Sequence, residues 1–286
     1  MSKDKLALYG GQPARPTAWP NTYPGALSIG AEEEQAVLEV LRAKRLFRYY
    51  GAVEGPSKAD QLEQAFAAHM GTRYALAVTS GTAALVCGLA GIGVGPGDEV
   101  IVPAYTWIAS PLAVMAVGAV PVVAEVDETL TLDPADVEDK ITSHTRAIIP
   151  VHMRGFPCQM DALMDVARRH GLRVVEDAAQ ADGASYGGRR LGSIGDVGCF
   201  SLQFNKIITA GEGGMVITND DEVWKRAVMY HDVAGGLRHG WSHDEILAAT
   251  NYRIPELLAA VALVQLGRLD GLLSAMRERK RMLQAG

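Results

Sequence analysis

The chain lacks the features that mark several large classes of protein. Its 286 residues include only 3 cysteines, Cys87, Cys158 and Cys199. An odd number without CxxC spacing gives neither a disulfide framework nor a cysteine zinc site, and it fits a reducing cytoplasm. Positive charge is not in excess: 27 Lys and Arg stand against 33 Asp and Glu, a formal net charge of −6. Nucleic acid and anionic membrane surfaces therefore find no basic footprint. No G-x-G-x-x-G follows the first predicted strand, which disfavours a dinucleotide fold. No apolar h-region precedes the proline-bearing residues up to 20, so no secretory signal is visible, and no internal repeat is evident. One uncharged run, 100–124, is long enough to cross a bilayer, but Pro103, Pro111, Gly118 and Pro121 cut it into strand, loop, helix and strand. It reads as sheet core, and a small molecule is the expected partner.

What the chain does have is alternation. Residues 10–24 carry Pro13, Pro16, Pro20 and Pro24 and predict an irregular arm lying over another surface or another subunit. Residues 31–46 place Glu32, Glu33 and Glu34 first and Arg42, Lys44 and Arg45 last, the order that a helix dipole favours. A second helix is predicted at 61–70. From Tyr74 short apolar runs at 74–78, 99–102, 120–125, 147–151 and 173–176 alternate with helical stretches at 81–89, 108–117, 134–140 and 160–170. That pattern implies an α/β three-layer sandwich around a mostly parallel sheet. Further on, 222–230 predicts a helix, 231–243 a loop, 255–269 an apolar helix and 271–286 a separate charged one.

Ligands of such folds gather at the carboxyl ends of strands, and four of those ends carry chemistry. At 197–220 a buried strand ends at Ser201 and is followed by Lys206, a glycine-rich turn at 211–214 and a second strand at 215–218. An amine in apolar surroundings has a depressed pKa and can act as a Schiff-base nucleophile, although a lysine at a strand end can also snorkel into water. Ser80, Gly81 and Thr82 stand between a strand and a helix, where backbone N–H groups and hydroxyls can cradle a phosphate or simply cap the helix. Trp107 follows the next strand and can stack on a planar ring or pack. Asp177 ends an apolar run, with Gln180 just beyond; a buried aspartate needs a partner, and a protonated ring nitrogen would serve. Metal binding is the rival there, but Glu176 should point to the opposite face. His239 and His243 are spaced i, i+4, yet Gly240 between them favours a loop over a metal site. His152 and Arg154 either line a pocket or cap the sheet.

Taken together, Ser80-Gly81-Thr82, Trp107, Asp177 with Gln180, and Ser201 and Lys206 ahead of Gly211-Glu212-Gly213-Gly214 resemble the DegT/DnrJ/StrS family of pyridoxal-phosphate (PLP) sugar aminotransferases, of the aspartate aminotransferase fold, fold type I. The resemblance runs from about residue 10 to about residue 269. It implies that Lys206 forms the Schiff base and shuttles the proton, and that Asp177 keeps the pyridine nitrogen protonated so that the ring is an electron sink. It further implies that Trp107 stacks on the ring, that Gln180 bonds the phenolic oxygen, and that Gly81, Thr82 and Ser201, beside Ser80, hold the phosphate. Asn251, in Asn-Tyr-Arg, resembles the residue that reaches the neighbouring subunit's cofactor, which implies a homodimer. Related sugar dehydrases carry histidine at the lysine position, so Lys206 points to amino transfer. The stretches 104–107 and 151–155 look closest to the branch acting on keto-sugars or keto-cyclitols with glutamine or glutamate as amino donor. On this likeness 1–30 is an arm, 31–250 a PLP-binding large domain, and 251–286 the start of a small C-terminal domain left incomplete, since relatives continue for roughly another hundred residues. The alternative is a non-catalytic regulatory or binding protein on the same fold, or an inactive fragment.

Overall fold

The central strands are buried almost throughout, and their side chains alternate between two cores, one on each face of the main sheet. The computed structural model describes residues 5–18, 24–50, 55–242 and 246–285. Its strands are β1 (Tyr74–Val78), β2 (Glu99–Pro103), β3 (Val120–Ala124), β4 (Thr145–Ile148), β5 (Arg173–Asp177), β6 (Ser185–Tyr186), β7 (Arg189–Arg190), β8 (Val197–Ser201) and β9 (Gly214–Thr218). β6 and β7 form a small hairpin; the other seven make one sheet in the order β1-β9-β8-β5-β4-β2-β3. From β3 through β8 every neighbouring pair is parallel, and β9 alone runs against both its neighbours. This is the mostly parallel mixed sheet that the alternation predicts.

On one face Ala75, Ala77, Val174, Phe200, Met215 and Ile217 pack with Leu62 and Phe66 of the Lys58–Met70 helix and Ala259 and Leu266 of the Glu256–Ala285 helix. On the other, Leu76, Val78, Val175, Val197, Cys199 and Val216 pack with Leu85 and Leu89 of the Gly81–Gly91 helix and Val223 and Val228 of the Asp221–His231 helix. Period-2 alternation of the strands thus fills both outer layers. Burying each large apolar side chain contributes roughly 1.5–3 kcal/mol. All three cysteines are buried as free thiols, and the uncharged run 100–124 is divided among β2, the Ala109–Ala116 helix and β3.

Several boundaries differ from expectation for local reasons. The first long helix stops at Ala43 because Lys44 turns left-handed, φ 53°. The next begins at Lys58, earlier than predicted, because Ser57 and Asp60 form a reciprocal capping box. A short helical turn, Gly235–Arg238, interrupts the predicted loop. The two helices expected at 255–269 and 271–286 are one, Glu256–Ala285. Gly267 and Gly271 lie on its exposed side, while Leu266, Leu269 and Leu273 follow one another at helical spacing on its buried side and carry it through. That helix is long and apolar enough to cross a membrane by length and composition, and its first half is packed into the sheet's outer layer. Of the arm, Pro20 lies outside the described residues. The Pro24–Leu27 turn docks on the loop that carries Lys206, with Gly25 N–H donating to the Lys206 carbonyl at 3.3 Å.

Candidate active site

Lys206 sits on the connection between β8 and β9, and that connection is tied at every level. Leu202 N–H donates to Gly213 O at 2.8 Å, Phe204 N–H to Gly211 O at 2.9 Å, and Lys206 N–H to Gln203 O at 3.0 Å. Gly211, at φ +84°, makes the left-handed turn that starts the return. Thr209 braces the loop by donating its hydroxyl to Leu202 O at 3.0 Å. The buried amide of Gln265 accepts from Thr209 N–H at 3.4 Å and donates to Glu33 at 2.8 Å, joining loop, long helix and first helix.

The side chain of Lys206 enters a cavity of about 240 Å³ lined also by Ser80, Gly81, Thr82, Trp107, Asp177, Gln180 and Ser201. Eight of the residues singled out from the sequence are therefore brought together. Asn251 does not line this cavity; it bridges to Asp232 and accepts from its neighbour Arg253 N–H at 3.3 Å. Burial lowers the Lys206 pKa, with Asp182 and Asp177 opposing the shift. Burial likewise raises the Asp177 carboxyl, offset by its hydrogen bonds and by Lys206 and His152. Asp177 accepts from the Ser110 hydroxyl at 2.8 Å and from Ala179 N–H at 3.1 Å, which fixes its plane. Ser110 was not legible as a site residue; its position three residues after Trp107, at the start of a helix, is the signal that could have found it.

At the other end of the cavity the Gly81–Gly91 helix begins. Ser80 Oγ caps it by accepting from Ala83 N–H at 3.0 Å, and the amides of Gly81 and Thr82 precede any helical acceptor. A Cβ on Gly81 would lie 2.7 Å from Ser201 Cβ, so only glycine lets helix and strand approach this closely. Trp107 is 67% exposed at the mouth. Gln180 Oε1 accepts from Arg154 N–H at 3.0 Å, which leaves the amide NH₂ as the end that can donate toward the cavity.

Glu176 does point to the opposite face. It accepts from Gly192 N–H at 2.8 Å and from Ile194 and Gly195 N–H at 2.6 Å each, and it meets His152 Nε2 at 2.9 Å. Cys158 N–H donates to His152 Nδ1 at 3.3 Å, so the ring proton stands on Nε2 and is given to Glu176. His152 is thus a sheet-end brace. Arg154 instead lines a second cavity of about 430 Å³ that shares Trp107, Gln180 and Lys206 with the first. His239 stacks on Trp241 with ring centroids 4.8 Å apart, and His243 lies outside the described residues. Among the described residues no group of three or more His, Cys, Asp or Glu could hold a metal ion.

The family model of the DegT/DnrJ/EryC1/StrS aminotransferases matches residues 27–286. The chain belongs to that family. It is 47% identical over 220 residues to GDP-perosamine synthase of Caulobacter vibrioides, covering 77% of this chain and 58% of the relative. With an L-glutamine:2-deoxy-scyllo-inosose aminotransferase of Streptomyces lividus it shares 39% identity over 290 residues, 98% of this chain and 67% of the relative. Its fold superposes on the crystal structure of 3-amino-5-hydroxybenzoic acid synthase with a TM-score of 0.80 at 39% identity, covering 92% of this chain and 66% of that one. The chain therefore spans about three fifths to two thirds of the length of these family members. Members of the family with solved structures are PLP-dependent enzymes of fold type I.

The residues present fit that cofactor. A planar phosphorylated pyridine needs an anion cradle at one end, a carboxyl at the other and an amine between, and the cavity offers all three at the carboxyl ends of the strands.

Proposed function

We propose that this chain binds PLP and transfers an amino group from an amino acid, glutamine or glutamate, to a keto-sugar or keto-cyclitol in amino-sugar biosynthesis. One observation carries the reading: a half-buried lysine of lowered pKa shares a single cavity with a buried strand-end aspartate and a glycine-bearing helix N-terminus. The relatives' named reactions on sugar and cyclitol ketones support it.

PLP, when bound, supplies an aldehyde for the lysine and a ring that accepts an electron pair. The chain's own residues do the rest. Lys206 Nζ, its proton affinity reduced by burial, is the nucleophile and afterwards carries the proton at the substrate carbon. Asp177, oriented by Ser110 and Ala179 N–H, holds a proton on the ring nitrogen. The Gly81 and Thr82 amides with the Ser201 hydroxyl take the phosphate, Ser80 shaping that turn. Trp107 covers the ring face, and Gln180 NH₂ donates to the phenolic oxygen. We place Asn251 at the cofactor of a second copy in a homodimer, and the reaction in the cytoplasm, where the three buried thiols stay reduced.

The test is spectroscopic and chemical. Incubation with PLP is expected to give the visible absorbance of a lysine-bound cofactor, and borohydride to fix it on Lys206 in the peptide map. Lys206→Ala is expected to lose the trapped adduct completely; an equal yield in the variant sinks the assignment.

A further inference from the structure

Among the described residues, Asp182 is the one carboxyl near the site with a buried oxygen that nothing in the fold bonds. It stands in the turn after Gln180, 4% exposed. Its Oδ1 is buried without a hydrogen-bond partner among the described residues, and no ion pair there includes it. The turn is closed from above by the Glu256–Ala285 helix. Leu273 sits so close to Gly183 that a Cβ there would fall 2.1 Å from its Cδ1, and Arg277 donates to the Gly183 carbonyl at 3.0 Å. Asp182 lines the second, larger cavity together with Lys206, Arg154 and Asn205, so carboxyl and amine face one space across which neither bonds the other. A buried carboxyl without a partner is costly, and a ligand hydroxyl can remove the cost.

We propose that Asp182 is a specificity-determining residue of this site, the acceptor for a hydroxyl hydrogen of a polyhydroxylated ketone placed over Lys206. The proposal rests on the amino-transfer reading above. Arg154 lines the same cavity and can donate to another oxygen of the ketone, which gives the polyol both a donor and an acceptor. The carboxyl makes no hydrogen bond or ion pair to the fold among the described residues. Burial raises its pKa to about 7, opposed by Lys206, while Arg154, Arg277 and Lys280 line the adjoining cavities. The folded chain therefore binds this proton more tightly than the unfolded chain, and stability falls as pH rises from 3.8 toward about 7.

The experiment uses the full chain, loaded with PLP, and the variants Asp182→Asn and Asp182→Ala. Loss of the visible absorbance with L-glutamine or L-glutamate reports the donor half-reaction. Its return with 2-deoxy-scyllo-inosose or a dTDP-linked keto-hexose reports the acceptor half-reaction. Calorimetry of the same ketones on borohydride-reduced protein gives their Kd without turnover. We expect the wild type to accept at least one ketone, and both variants to raise its KM and Kd by roughly 10- to 100-fold. PLP absorbance and the donor half-reaction should stay within about twofold, and the Asp182→Asn melting temperature at pH 8 should match or exceed the wild type, since a buried unpaired charge is removed. If the wild type accepts neither ketone, the amino-transfer reading fails and this proposal with it. If it accepts one and both variants keep its KM and Kd, only the assignment to Asp182 fails. A donor half-reaction slowed as much as the acceptor one, or a lowered melting temperature in Asp182→Asn, overturns it as well, because the carboxyl then serves Lys206 or the fold.

Discussion

The two faces of the sheet at the end of β5 treat buried carboxyls in opposite ways. On one face Glu176 accepts from three backbone amides and from His152, and every lone pair that matters is used. On the other, Asp177 has two hydrogen bonds and a wall of the lysine cavity, and Asp182, in the turn beyond the strand, has none among the described residues. Depth is the same in all three cases; satisfaction is not. A fully bonded carboxyl fixes the chain around it, whereas a partly bonded one holds capacity for a group that is not protein. The contrast separates architecture from chemistry among residues that burial alone would class together.

The contrast can be broken most forcefully at Glu176. Glu176→Ala strands His152 and three amides, and is expected to cost about 3–5 kcal/mol in urea unfolding; a loss below about 1 kcal/mol would remove Glu176 from the architectural side. Asp177→Asn should do the reverse, leaving the urea midpoint unchanged or raised while amine transfer falls by roughly 100-fold or more. Coupled loss of midpoint and rate would merge the two faces. Gly81→Ala probes the junction between them: crowding against Ser201 should cost about 1–3 kcal/mol and weaken PLP retention measured by dialysis. His231 offers the smallest and most graded test. It is buried, its Nδ1–H donates to the Val228 carbonyl and its Nε2 has no partner among the described residues. Burial, with the nearby arginines Arg48 and Arg253, lowers its pKa from 6.5 to about 4 against the pull of Val228 and Asp232. The unfolded chain therefore takes up this proton first, and the stability present above pH 6.5 is lost as pH falls toward about 4. His231→Gln should flatten that limb of the melting temperature against pH, and an unchanged slope would show the ring to be no sensor.

Much of this arrangement is legible in the sequence. Strand and helix alternation gave the sheet because each short apolar run is bounded by Gly, Pro or a cap, and the strand ends then collected Ser80, Gly81, Thr82, Trp107, Asp177, Gln180, Ser201 and Lys206 in one cavity. The opposite orientation of Glu176 followed from alternation alone. What was not legible depends on contacts made far along the chain. His152 is defined by Glu176 and Cys158, and the chain around it offers lining and capping equally. Asp182 looks like an ordinary turn residue until Leu273 and Arg277 close over its neighbour Gly183. The long helix was divided at Gly271 because glycine lowers helix propensity by about 1 kcal/mol, a penalty that Leu269 and Leu273 outweigh once buried.

The reversed strand β9 has a mechanical meaning. A loop between a parallel strand and its crossover helix is clamped at one end by the sheet and can ride on the helix at the other. The span bearing Lys206 instead joins β8 to β9, side by side and bonded rung for rung, so both of its feet stand on the same rigid deck. The amine is a fixed post. Whatever group enters the cavity has to turn around it.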